Sequence, residues 1–278
     1  AAGIHHGMVC AGESWEAGHD GAREVMSMQW FTSAAGTALS IIADPYATLF
    51  CALGVSFLLL SSVLNVRNLV KDSARDFSPV MMYFVSVFAL LFLLPLAIIL
   101  LRGRQTGISP ALVGLGPGNW KLGLVLTVVC LPFSFIGLWA GINDPALKNY
   151  YPFSKEAMSG AGRFALYESA YLVLYYLPWE FTFRGVILFS LLALLPHTAA
   201  SLVIVVMVST FLSTIFHIGH PSSEVLGAFI LGVIAGTLTA LTGSFLYALF
   251  HHALVGILND FIAYRGRVRT QRLGRETA

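Results

Sequence analysis

From residue 45 onward the chain alternates long apolar runs with short polar connections. A bilayer-crossing helix needs about 20 mostly apolar residues. On that scale the runs predict spans at 45–66, 79–101, 122–142 (with Pro132 inside), from about Phe164 past Pro178 toward Leu195, at 199–219, 225–243 and 244–263. The last two meet in a tight turn near Gly243. A weaker uncharged stretch, 25–43, contains Gly36 and several Ser and Thr and reads equally as a short eighth span or an interfacial helix. The predicted fold class is therefore all-α: a polytopic membrane bundle of seven or eight transmembrane helices. Residues 1–44 read as a poorly ordered extension, with scattered acids, His5, His6 and His19 but no core pattern, and no signal peptide is recognisable. The bundle covers 45–263, and a basic tail covers 264–278.

Composition turns this pattern into an exclusion. Of the 278 residues, 57% are apolar and only 11% are Asp, Glu, Lys or Arg, where a soluble domain carries about 25%. Mean hydropathy is +0.78. Such a chain cannot cover a soluble surface with polar groups, which excludes a soluble enzyme, a disordered chain and a nucleic-acid binder. Lipid leaves an open backbone without partners, so the spans are helical. Cys10, Cys51 and Cys130 lie too far apart in sequence to suggest a disulfide framework or a Cys-x-x-Cys metal pair.

Charge orients the bundle. Arg265, Arg267, Arg269, Arg272 and Arg275 follow the last span, and the positive-inside rule puts that tail in the cytoplasm. Counting back through seven spans places Arg67, Lys71, Arg75, Lys148, Lys155 and Arg163 inside as well. Arg102, Arg104 and Lys121 fall outside, against the rule.

Scarce charge makes the residues at membrane depth informative. A charge at the bilayer centre costs at least about 2.5–3.5 kcal/mol, so intramembrane ionisable groups are functional candidates. Glu180 and Arg184 lie four apart and can pair on one helix face. Pro178 frees a carbonyl one turn upstream. His217 and His220 fall at the end of the fifth span, before Pro221. His251 and His252 lie midway down the seventh, about 100° apart around the axis, so one faces a cavity and the other a backbone or neighbouring helix. Asn259 and Asp260 follow two turns on, where an interfacial position is the plainer reading, as it is for Glu168. Gly232 and Gly236 form a Gly-x-x-x-Gly that permits close packing within the bundle. Tyr171, Tyr175, Tyr176 and Trp179 read as helix packing or as the lining of a substrate groove.

One Glu, several His and an Arg on three helices can make a buried hydrolytic centre. Glu beside His can take a proton from water, and a second His or an Asn can hold the developing oxyanion. Glu and His are also zinc ligands, but there is no His-Glu-x-x-His and no usual ligand spacing, so neither a metal nor another cofactor is expected.

In this order, the clusters resemble the CAAX protease and bacteriocin-processing family of glutamic-type intramembrane endopeptidases. That family carries Glu-Glu-x-x-x-Arg, then Phe-x-x-x-His, then His-x-x-x-Asn or Asp. Glu180 matches the second Glu, Arg184 the Arg, Phe216 and His220 the second motif, and His252 the third, over roughly residues 120–260. The resemblance implies hydrolysis of a peptide bond in a membrane-anchored or lipidated protein or peptide, such as removal of a C-terminal sorting signal. It implies Glu180, His220 and His252 as catalytic and Arg184, His217, His251 and Asn259 as supporting residues. The setting it implies is a bacterial inner membrane, with the lipid bilayer and a membrane-anchored protein or peptide substrate as partners and no nucleic acid. No sequence feature sets an oligomeric state.

Two positions depart from the pattern. Trp179 stands where the first Glu would be, and Gly256 where the Asn or Asp would be. Either Glu180 has become the base, or the chain is a catalytically inactive member acting as an immunity or membrane-partner protein. Retention of Arg184, His220 and His252 favours the active reading. Asn259 lies on nearly the face of His252 but about 10 Å further along the axis, so the amide role is absent or served by another group such as His217 or His251.

Overall fold

A computed structural model describes residues 32, 33, 36, 44–62 and 76–276. Most of the extension and of the possible span at 25–43, the end of the first predicted span, and Arg67, Lys71 and Arg75 lie outside them. The chain divides into residues 1–48 and 49–278. In the first unit, Asp44 caps the start of a helix, its Oδ1 accepting from the Ala47 amide at 2.8 Å.

Eight helices follow. They are α1 (Pro45–Ser62), α2 (Phe77–Thr106), α3 (Trp120–Asn143), the short α4 (Pro145–Tyr150), α5 (Ala161–Leu194), α6 (Ala199–Ile215), α7 (Ser222–Thr242) and α8 (Leu246–Glu276). No strand occurs among the described residues. Among the described residues, five helices are long and apolar enough to cross a membrane: α2, α3, α5, α7 and α8. The apolar helices α1 and α6 are shorter. The protein is thus an all-helical integral membrane protein.

Burial ranks the helices. In α5, 67% of the apolar window is buried, against 28% or less in the other four long helices. It packs against α2, α6, α7 and α8, while α3 packs on α7 and α8. By contrast α3 exposes Leu124, Val125, Val128, Val129, Ile136 and Trp139. In water such a stripe would be a liability; on a spanning helix it is the face that lipid covers.

Prolines and π turns shape the two helices nearest the site. Pro95 lacks an N–H, so it cannot serve the carbonyl of Leu91 four residues earlier. The helix widens into a π turn at Ala89–Leu93, and neighbours supply the missing donors. Ser56 Oγ donates to Leu90 O at 3.1 Å and Thr182 Oγ1 to Leu91 O at 2.6 Å. Helix α5 has two π turns, Leu172–Tyr176 before Pro178 and Phe181–Ile187 after Glu180. Ser209 on α6 donates to Phe183 O at 2.8 Å in the second. Three hydroxyls thus pin the irregular turns, one of them only two residues from Glu180. Thr182→Val leaves Leu91 O without that donor. Interhelical hydrogen bonds in membranes are worth about 0.6–1.7 kcal/mol, so Thr182→Val lowers stability by about that amount in denaturant titration of the detergent-solubilised protein. Unchanged stability would show that the bond contributes nothing.

The glycine pair behaves as the spacing suggests. A Cβ at Gly232 would lie 2.9 Å from the Thr210 methyl and 3.0 Å from Arg184 Nη2, and one at Gly236 would lie 3.1 Å from Val206. Their absence lets α6 and α7 approach and leaves room for the Arg184 guanidinium.

Two sequence expectations are corrected. Helix α6 ends at Ile215, so His217 and His220 sit in the following connection rather than in the span. Glu168 and Asp260, read as interfacial, are only 8% and 2% exposed. They are neighbours between α5 and α8, and both Glu168 oxygens are buried without a hydrogen-bond partner.

Candidate active site

A cavity of about 620 Å³ lies between α3, α5, α7 and α8, and Glu180, Arg184, His217, Glu224, His251 and His252 are among its lining residues. Glu180 enters it from the short α segment Leu177–Glu180 between the two π turns. Its side chain is 2% exposed.

Two partners flank the Glu180 carboxylate. Oε1 lies 2.6 Å from His252 Nδ1 on α8. Oε2 lies 3.5 Å from Arg184 Nε, one turn along α5, and both of these atoms lack a hydrogen-bond partner. The charge of Arg184 therefore offsets that of Glu180 without occupying the Oε2 lone pairs. A carboxylate accepts, so His252 Nδ1 carries the proton of that bond and its Nε2 faces elsewhere. Between the neighbouring histidines, His252 meets Glu180, while His251 Nδ1 pairs with Ser134 Oγ on α3 at 2.7 Å.

A second Glu–His pair stands nearby. His220 does not reach Glu180; its Nδ1 lies 2.8 Å from Glu224 Oε1 at the start of α7. The same oxygen accepts from Tyr151 Oη at 2.5 Å, while Glu224 Oε2 is buried without a partner. The His220 ring also packs on Tyr150, with centroids 4.7 Å apart. Gly219, at φ 102°, turns the chain between the two histidines of this connection.

His217 stands between the pairs, its ring edge-on to Trp179 at 5.5 Å and to His220 at 5.4 Å. Its Nδ1 lies 2.9 Å from the Ser213 carbonyl. A carbonyl only accepts, so Nδ1 is the donor. Burial pushes the imidazole down to about 4, so the ring is neutral and its Nε2 is an acceptor.

The two departures from the sequence pattern have physical explanations. Trp179 is buried, lines the cavity and stacks on Tyr175 at 5.7 Å, so an indole stands where a carboxylate was expected. At Gly256 a Cβ would fall 1.8 Å from Tyr176 Oη, so the phenol excludes any side chain there. Asn259 also lines the cavity, but packs against Gly141, whose Cβ would lie 2.6 Å from its Nδ2.

Sequence reasoning missed Glu224 and Tyr151, and read Tyr176 only as one of an aromatic run that packs or lines a groove. Glu224 was within reach, since it follows His220 by four residues just as Arg184 follows Glu180. Tyr151 left no local signal. Among the described residues, no three His, Cys, Asp or Glu converge in a way that could hold a metal ion.

Residues 165–258 match a family model described as type II CAAX prenyl endopeptidase Rce1-like. No curated protein and no solved structure matches the chain significantly. The matched segment begins in α5, ends in α8 and contains both Glu–His pairs. Over residues 165–258, this membrane protein is thus similar to the Rce1-like CAAX prenyl endopeptidases.

Proposed function

We propose that the chain is a glutamic-type intramembrane endopeptidase that hydrolyses a peptide bond of a membrane-anchored or lipidated protein. The observation that carries this reading is the buried Glu180 carboxylate, bonded to His252 through one oxygen and left with free lone pairs on the other. Arg184 keeps that carboxylate charged in a site that would otherwise disfavour an ion.

Glu180 Oε2 takes a proton from water while the water oxygen attacks the scissile carbonyl carbon. Collapse of the tetrahedral intermediate breaks the C–N bond, and Glu180 returns the proton to the leaving amine. His252 orients the carboxylate throughout. The acceptor Nε2 of His217 is suited to aligning the water, not to stabilising an oxyanion. His220 acts through Glu224, fixing that carboxylate at the cavity wall beside the substrate path. His251 joins α8 to α3 through Ser134 and so holds the helix that carries His252.

Removal of a C-terminal sorting signal, in a bacterial inner membrane with the basic tail inside, is the specific form proposed. Comparing protein termini in membranes from cells with and without the gene tests it. The expected result is a set of membrane proteins left uncut at the C-terminus in the deletion. Identical termini in both membranes would favour the non-catalytic partner role instead.

A further inference from the structure

Hydrolysis needs a donor where the carbonyl oxygen becomes an oxyanion. The cavity holds few free ones. His217 presents an acceptor. Ser134 is engaged with His251. Arg184 Nε and Nη1 have no hydrogen-bond partner, but Nε stands 3.5 Å from Glu180 Oε2, so the guanidinium is committed to the charge of the base. Asn259 is packed on Gly141, two turns from His252.

Tyr176 is different. It precedes Glu180 by one turn on α5, while Gly256 follows His252 by one turn on α8. A Cβ at 256 would lie 1.8 Å from Tyr176 Oη and 2.7 Å from its Cζ. The phenol oxygen thus occupies the place where a side chain on α8, one turn past His252, would begin. The Tyr176 ring is 4.6 Å from the His252 ring, the residue lines the cavity, and it is only 3% exposed. A phenol hydroxyl has a proton to donate.

We propose that the Tyr176 hydroxyl is the oxyanion donor of this site, and that position 256 is Gly to admit it. As water attacks, the carbonyl π electrons move onto oxygen and the Tyr176 O–H holds the resulting charge, keeping its proton. Collapse restores the carbonyl and expels the amine, which takes its proton from Glu180. The inference rests on the Glu180–His252 reading above and supplies the group that position 256 lacks.

The test uses the full-length protein in nanodiscs and a fluorogenic peptide spanning a cut site defined by the terminus comparison. Loss of one oxyanion donor costs about 10²–10³ in kcat. Tyr176→Phe keeps the ring and is expected to lower kcat by at least about a hundredfold with KM little changed. The swap Tyr176→Ala with Gly256→Asn, which trades the phenol for an amide donor, is expected to regain at least about tenfold over Tyr176→Ala alone, a partial return of that loss. Wild-type kcat in Tyr176→Phe overturns the assignment. If that variant does not accumulate, absence of recovery in the swap overturns it instead. Glu180→Gln, assayed beside them, separates the two readings: inactive Glu180→Gln with fully active Tyr176→Phe refutes only the role of Tyr176, whereas active Glu180→Gln refutes the base.

Discussion

Arg184→Met is expected to destabilise the protein by about 3–5 kcal/mol, the range found when one partner of a buried ion pair is removed. Both side chains are nearly inaccessible, at 4% and 2%, with Arg184 Nε and Glu180 Oε2 3.5 Å apart. The large cost is the uncompensated Glu180 charge left behind, not the intrinsic worth of the pair. A thermodynamic signature follows: adding Glu180→Gln to Arg184→Met removes that charge and returns much of the stability, while leaving the enzyme inactive. Denaturant titration of the two variants in detergent checks this. Equal loss in the single and double variants would mean that Arg184 acts through packing against Gly232 and Thr210 alone.

His252→Ala is expected to lower the cleavage rate by about 10²–10⁴-fold, the usual worth of general acid–base assistance, with Glu180 still in place. The 2.6 Å bond from His252 fixes which oxygen of Glu180 is occupied and which faces water. Without it the carboxylate can rotate away from this arrangement and lose its aim. His251→Ala provides the contrast. His251 touches Ser134 rather than Glu180, so its removal weakens the α3–α8 contact and affects stability more than rate. If the two variants were equally slow at equal stability, the distinction between these neighbours would not hold.

Much of this architecture was legible in the sequence, because lipid makes the rules simple. The uncharged runs gave α2, α3, α5 and α7 to within a few residues, and Pro132 and Pro178 lie inside continuous helices; the start of α8 was found too, but that helix runs on to Glu276 through the basic stretch read as a tail. Glu180 and Arg184 were readable as a pair from their spacing alone, since helical geometry brings i and i+4 together wherever the helix goes. The connection after α6 was not. Its apolar run continues to Ile218, yet the helix stops at Ile215, and the left-handed Gly219 turns the chain before Pro221. The helical-face argument for His217 and His220 therefore rested on geometry that ends just before them, although their rings do meet. Glu168 and Asp260 looked interfacial because each stands near a span end; their mutual burial depends on how α5 and α8 pack. The relation of Tyr176 to Gly256 joins residues 80 positions apart. Position 256 looked like a missing group when read alone, and became an occupied one only when α5 stood beside it.

Glu180→Gln separates a hydrolytic base from a buried structural carboxylate. Gln keeps the size and a hydrogen-bonding oxygen while removing proton-accepting power. In single-turnover cleavage of the peptide in nanodiscs, with wild type and Glu180→Gln at equal folded concentration, product is expected from wild type and none from Glu180→Gln. Cleavage by Glu180→Gln at the wild-type rate would contradict the role of base.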